Sequence, residues 1–236
     1  MSTTTAPQVF TTQDTIIAWA NFAALLATSA VFTIYYVKSV KPAELEKSIG
    51  IEAYERCKWY RLVSGFFMSV AAIQYIVFWY YPLPGLPPNL VEFPWQYHVS
   101  VYIAVMLTVP FSYLMWVGMQ DAGEETMTPK KDHELYSGGI YEHMRHPQAV
   151  GEFPLWFTFA LLGHSPFLTL FSLLYLPIWY YFSVEEEKDL VLRYGRSYQE
   201  YCCRVGWFPN ILMVGKNLMV GKDGNHYKRR DGRHMA

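Results

Sequence analysis

Gly138-Gly-Ile-Tyr-Glu-His-Met-Arg-His-Pro-Gln-Ala-Val-Gly151 runs from a charged, glycine-led loop into the start of an apolar segment. Its counterpart is Glu185-Glu-Glu-Lys-Asp-Leu-Val-Leu-Arg-Tyr-Gly-Arg-Ser-Tyr-Gln-Glu-Tyr201, where the last apolar segment emerges into charge. Between them, Ala149–Gly163 and Phe167–Val184 read as two membrane spans around a tight His164-Ser-Pro166 turn. A hairpin returns the chain to the side it left, so the two charged stretches meet on one face of the bilayer.

Working outward, Thr15–Val37, Leu62–Tyr81 and His98–Gln120 are three more stretches long and apolar enough to span. The expected fold is all-α: a polytopic membrane bundle of about five helices with a cytosolic C-terminal helical segment. With 52% hydrophobic and 18% aromatic residues, the chain is more apolar than an ordinary soluble domain. Met1–Asp14 is polar, Thr-rich and without Lys or Arg, so it lacks the basic start of a signal peptide. Lys38–Arg61 is a mixed-charge loop with an amphipathic helical piece after Pro42. Pro82-Leu-Pro-Gly-Leu-Pro-Pro88 cannot continue a helix, because proline removes a donor and clashes with the preceding turn. The expected divisions are 1–130 with three spans, 131–210 carrying the two charged stretches, and a polar tail over 211–236. That tail repeats Leu-Met-Val-Gly-Lys at 212–216 and 218–222.

Charge sets the orientation. All 19 Lys and Arg fall in Lys38–Arg61, in Asp121–Gln148 or after the last apolar segment; the N-terminus, the proline-rich loop and the 164–166 turn have none. The positive-inside rule then places the N-terminus outside and the C-terminus in the cytosol. A formal charge of -1 argues against nucleic acid as a partner. Cys57, Cys202 and Cys203 have no metal-ligand spacing and read as free thiols. His98 and His164 lie near the outer surface as interfacial residues, not haem ligands.

Pro147 suits a first helical position, and the amides of the turn it opens face a polar or anionic group. A basic loop that merely caps a span would carry the same residues. Glu152 lies one turn further, a carboxylate at membrane depth that points to function, yet close enough to the interface to be simply solvated. Glu185, Glu186 and Glu187 point about 100° apart on a helix, so one or two turn inward and the rest face water. Glu187, Leu190, Tyr194, Tyr198 and Tyr201 form a stripe at helical spacing; Gly195 suits a helix stop, and Ser197-Tyr-Gln-Glu200 reads as a capping box. An amphipathic interfacial tail with solvated acids would look similar.

Together, Gly-x-Tyr-x-x-x-Arg-His-Pro-x-x-x-Gly and Glu-Glu-x-x-Leu-x-x-x-Tyr-Gly-x-x-Tyr-x-x-Tyr resemble the isoprenylcysteine carboxyl methyltransferase and phospholipid methyltransferase superfamily. The resemblance covers residues 133 to about 209, and the first three spans match only in being hydrophobic. It implies an integral-membrane enzyme that binds S-adenosylmethionine and methylates a lipophilic or small-molecule acceptor at the cytosolic membrane face. By position, Tyr141, Arg145, His146, Pro147 and Gly151 form one wall of the cofactor site. Glu186, Glu187 and Leu190 form the other, with Tyr198 and Tyr201 in the closing helices. Arg145, Glu186 and Glu187 are implied nearest the chemistry. Two positions depart from the pattern. Ala149 stands where the family often has tyrosine, and Tyr180-Tyr-Phe-Ser183 lacks the arginine that carboxyl-methylating members often carry before the glutamates. Helices kinked at Pro110, Pro154 and Pro177 leave room for an acceptor entering sideways. Two rival readings stand beside this one: a nicotinamide-dependent membrane sterol reductase sharing the Arg-His-Pro motif, and a non-catalytic membrane scaffold.

Overall fold

A computed structural model describes residues 10–126, 129, 131 and 134–208. The repeated Leu-Met-Val-Gly-Lys and the polar tail lie outside these residues. Ten α-helices form among the described residues: α1 (Thr12–Ser39), α2 (Pro42–Ile49), α3 (Glu52–Tyr80), α4 (Pro88–Val91), α5 (Tyr97–Ala122), α6 (Pro147–Glu152), α7 (Pro154–Leu162), α8 (Pro166–Ser172), α9 (Tyr175–Tyr194) and α10 (Arg196–Arg204). The described part is all-α, as expected.

The local chemistry explains the boundaries. A capping box opens α1, where Thr11 Oγ1 accepts from the Asp14 amide at 3.1 Å and Asp14 Oδ2 accepts from the Thr11 amide at 3.0 Å. Pro42 starts α2, as expected of the amphipathic piece, and Gly50 ends it at φ 69°. Gly195 stops α9 at φ 55°, a left-handed conformation that glycine adopts without penalty. The expected capping box at Ser197–Glu200 does not form. Gly195 itself is the N-cap of α10, so Ser197 already lies inside the helix.

Among the described residues, four helices are long and apolar enough to cross a membrane: Thr12–Ser39, Glu52–Tyr80, Tyr97–Ala122 and the combined Pro166–Tyr194. The segment expected as a further span at 149–163 is instead the broken pair α6–α7, interrupted at Phe153 before Pro154. It nevertheless runs the full height of α5. Pro147 packs against Gly118 near one end of α5, and His164 Nδ1 lies 2.7 Å from Ser100 Oγ near the other. The stretch of α5 between those contacts measures roughly 27 Å at helical rise, close to a hydrocarbon core of about 30 Å. Pro154 and Pro177 sit in first turns after interruptions, whereas α5 continues through Pro110.

One apolar core joins the elements. Leu25 and Phe32 of α1, Tyr75 and Phe78 of α3, Trp156 of α7, Leu168 of α8, and Tyr175, Trp179 and Phe182 of α9 pack together. Rings stack at Trp156–Tyr175 (4.4 Å) and Tyr36–Phe182 (4.2 Å). Buried hydroxyls pair as Ser29–Tyr175 (2.7 Å) and Tyr75–Ser172 (3.1 Å), which satisfies them inside the core. Helix α5 joins this core through α6 and α7, at a contact that depends on glycine. A Cβ on Gly151 would lie 2.6 Å from both the Met115 amide nitrogen and the Phe111 carbonyl oxygen. Backbone cannot move aside, so Gly151→Ala should separate the two helices and cost about 1–3 kcal/mol. Thermal melts in detergent check this; an unchanged midpoint in the alanine variant would show that α6 is not pressed onto α5.

Candidate active site

The loop after α5 and the end of α9 meet, as a hairpin requires, and they enclose a cavity of about 130 Å³. Of the residues singled out from sequence, Tyr141, Arg145, His146, Pro147, Glu186, Leu190, Tyr198 and Tyr201 line it. Gly151 and Glu187 do not. Gly151 is spent on the α5 contact, and Glu187 faces the loop.

Position 187 binds both halves of the Arg-His pair. Glu187 Oε1 lies 2.9 Å from Arg145 Nε and 2.9 Å from His146 Nε2. The other imidazole nitrogen, Nδ1, faces Glu186 Oε2 at 3.5 Å. Arg145 reaches onward: Nη1 donates to the Cys202 carbonyl at 3.3 Å, and its amide donates to the Gly206 carbonyl at 3.0 Å. Both contacts pin the end of α10 against the loop. Trp207, just beyond α10, packs on the imidazole with ring centres 4.7 Å apart. Arg145 is thus a clasp between loop, α9 and α10 as well as a cavity wall.

The loop is fixed from the other side. Gly139, at φ 56°, brings its backbone so close to Asp121 that a Cβ would lie 2.2 Å from Oδ2, and the Ile140 amide donates to that oxygen at 2.7 Å. Tyr141 Oη donates to the Gly118 carbonyl at 3.2 Å, and its own carbonyl accepts from Tyr201 Oη at 2.7 Å. Gln148 Nε2 reaches Tyr141 Oη at 3.0 Å and Thr126 Oγ1 at 3.1 Å. The aromatic stripe read from sequence continues across the Gly195 break: Tyr198, Tyr201 and Val205 cluster with Leu135, Leu190 and Tyr194.

Successive acids of α9 go to different partners. Glu185 is buried and pairs with Lys41 and with Lys188, the latter at 2.5 Å. Asp189 Oδ1 accepts from the Ala43 and Glu44 amides at 2.8 and 3.0 Å, capping α2. The acidic run is therefore not a solvated tail. Tyr36 and Arg61, from α1 and α3, also line the cavity, and sequence reading missed both. The charge pattern puts Arg61 in the first loop, whereas α3 begins at Glu52 and carries it within the helix. Its guanidinium donates to the Thr126 carbonyl and sits 5.9 Å over the Tyr36 ring. Trp179 and Phe182 close the cavity towards the core. The three cysteines are free thiols, and no cluster of potential metal ligands occurs among the described residues.

Residues 99–197 match the family model described as phospholipid methyltransferase. The chain is also 43% identical over 76 residues to the Schizosaccharomyces pombe protein named Protein-S-isoprenylcysteine O-methyltransferase, covering 30% of this chain and 30% of that relative. The chain thus spans under a third of the length of the curated relative it matches. No solved structure matches. The segment that builds the loop, the hairpin and the acidic helix end is thus similar to membrane methyltransferases. The match begins at residue 99, before the motif region read from sequence, and takes in α5, whose Gly118 meets Tyr141, Pro147 and Gln148.

The clasp carries a pH signature. Burial lowers the affinity of His146 for its proton, but hydrogen bonds and charge from Glu186 and Glu187 outweigh this and raise its pKa above 6.5. A raised folded-state pKa gives stability that is fully present below the unfolded value and is lost as pH rises through the folded one. Melting temperature should therefore fall from about pH 6.5 upward, and His146→Gln should flatten that slope. Parallel melts across this range test it; identical slopes in parent and variant would remove His146 as the source.

Proposed function

We propose that the protein transfers a methyl group from S-adenosylmethionine to a membrane-associated or lipophilic acceptor at the cytosolic face of the bilayer. The observation that carries this reading is the single cavity where the Arg-His-Pro loop and the Glu-Glu helix end converge. The chemistry of its walls suits the cofactor. Glu186 and the faces of Tyr36, Tyr198 and Trp179 suit a sulfonium and an adenine ring, while Arg61 and Arg145 suit a carboxylate. When bound, the cofactor supplies an electrophilic methyl group. The chain's own part is to hold donor and acceptor in line and keep water out, which is where most of the acceleration of such a displacement arises.

Helix α10 forms one wall and is held by Arg145, by the Tyr201–Tyr141 bond and by Trp207 on His146. Release of that clasp opens the cavity to the cytosol. The cations flanking it support the expected orientation, with N-terminus outside and C-terminus inside. The acceptor enters from the bilayer side, past α1 and α3.

Calorimetry of the purified protein should show binding of S-adenosylmethionine and none of NADPH. Glu186→Gln should weaken cofactor binding by about 1.5–3 kcal/mol, the cost of losing a hydrogen bond to a charged group. Glu187→Gln should act by loosening α10, seen as faster amide exchange over 196–204. Binding of NADPH instead would move the protein to the reductase reading; binding of neither would leave a scaffold.

A further inference from the structure

Glu152 is the only charged side chain between Arg145 and Glu185, so it stands alone on two apolar arms. It closes α6, four residues after Gln148 and three after Ala149, and both of these line the cavity. Helical spacing puts Glu152 on their face, one turn deeper towards the bilayer. Its carboxylate is half-buried, and among the described residues it makes no hydrogen bond and no ion pair. Its charge acts on the Arg61 guanidinium and the Tyr36 hydroxyl, two further residues of the cavity wall. Glu185, Glu186, Glu187 and Asp189 all have partners that hold the fold together, and Glu152 has none. A carboxylate at membrane depth without a structural partner is costly and marks a functional position.

We propose that Glu152 takes the proton of the methyl acceptor, which is a lipophilic thiol or amine and not a carboxylate. The proposal rests on the methyl-transfer reading and names the acceptor chemistry of that site. As the acceptor's lone pair forms its bond to the methyl carbon, the S–CH₃ bond breaks with its electrons left on sulfur. The acceptor's S–H or N–H electrons stay on the acceptor, and its proton moves to a Glu152 carboxylate oxygen. A sulfonium cation and a carboxylate anion thereby become a neutral thioether and a neutral carboxylic acid. An apolar site favours that loss of charge. Arg61 offsets the Glu152 charge beforehand. A carboxylate acceptor has no proton to surrender and would meet Glu152 as a like charge.

The test uses the full chain in lipid nanodiscs with three probes: dodecanethiol, dodecylamine and N-acetyl-S-farnesylcysteine, which presents a carboxylate. The parent should methylate the thiol or the amine and not the carboxylate. Glu152→Gln should bind S-adenosylmethionine within about twofold of the parent yet lose roughly 10²–10⁴ in methylation rate, the usual worth of a positioned base. Infrared difference spectra over a single turnover, started by adding S-adenosylmethionine to enzyme holding the probe, give a second readout besides steady-state rate. The parent should gain a carboxylic-acid band that Glu152→Gln lacks and Glu152→Asp shifts. Should the glutamine variant melt early, the aspartate variant decides through that shift. Turnover within about threefold of the parent in Glu152→Gln, an unaltered band, or methylation of the carboxylate alone or of no probe overturns the proposal. No cofactor binding by the parent would sink the transferase reading itself, a result distinct from cofactor binding with a silent Glu152.

Discussion

Two carboxylates, a guanidinium and an imidazole meet at the mouth of an apolar bundle, and none of the four is stable there alone. Removing one partner from such a partly buried set leaves the others desolvated with less compensation. The Arg145–Glu187–His146–Glu186 cluster therefore dictates where its elements sit: loop on α9, and through Arg145 on the Cys202 and Gly206 carbonyls, α10 on the loop. The same logic extends round the helix. Successive residues project 100° apart, so 185, 186, 187 and 189 reach α2, the cavity, the loop and α2 again. One acidic helix end thus ties together elements far apart in sequence.

Much of this was legible in the sequence because it follows from periodicity and charge. The apolar stretches at 15–37, 62–81 and 98–120 and the glycine at 195 are local signals, and each finds its counterpart in the fold. The broken arm was harder. Hydropathy over 149–163 reads as one span, whereas prolines at 147 and 154 split it into α6 and α7. The capping box at 197–200 failed for a related reason: a glycine with positive φ reverses the chain so sharply that the new helix starts before the serine.

Arg61 and Tyr36 were not legible, and for a different physical reason. Even with Arg61 more than two turns inside α3, the local sequence does not say which way its side chain turns. What turns Arg61 towards the cavity is the carbonyl of Thr126 on one side and the Tyr36 ring on the other, both remote in sequence. Its contribution is a product of α1 and α3 packing together.

That origin divides the cavity in two. Residues within 99–197, the segment shared with the phospholipid methyltransferase family, supply Tyr141, Arg145, His146, Glu186 and Leu190. Residues outside it supply Tyr36 and Arg61 from the N-terminal side and Tyr198 and Tyr201 from α10. The departures from the family pattern fall between these two groups. Ala149 presents a methyl where the family often has a phenol, and Ser183 ends a stretch without arginine. A small side chain at 149 leaves space beside Gln148 that the wall from α1 and α3 defines, with the Tyr36 ring braced on Phe182 at 4.2 Å. On the methyl-transfer reading, the matched segment would hold the donor, while the wall that α1 and α3 add, with the Tyr36 ring and the Arg61 guanidinium, would shape the space left for the acceptor.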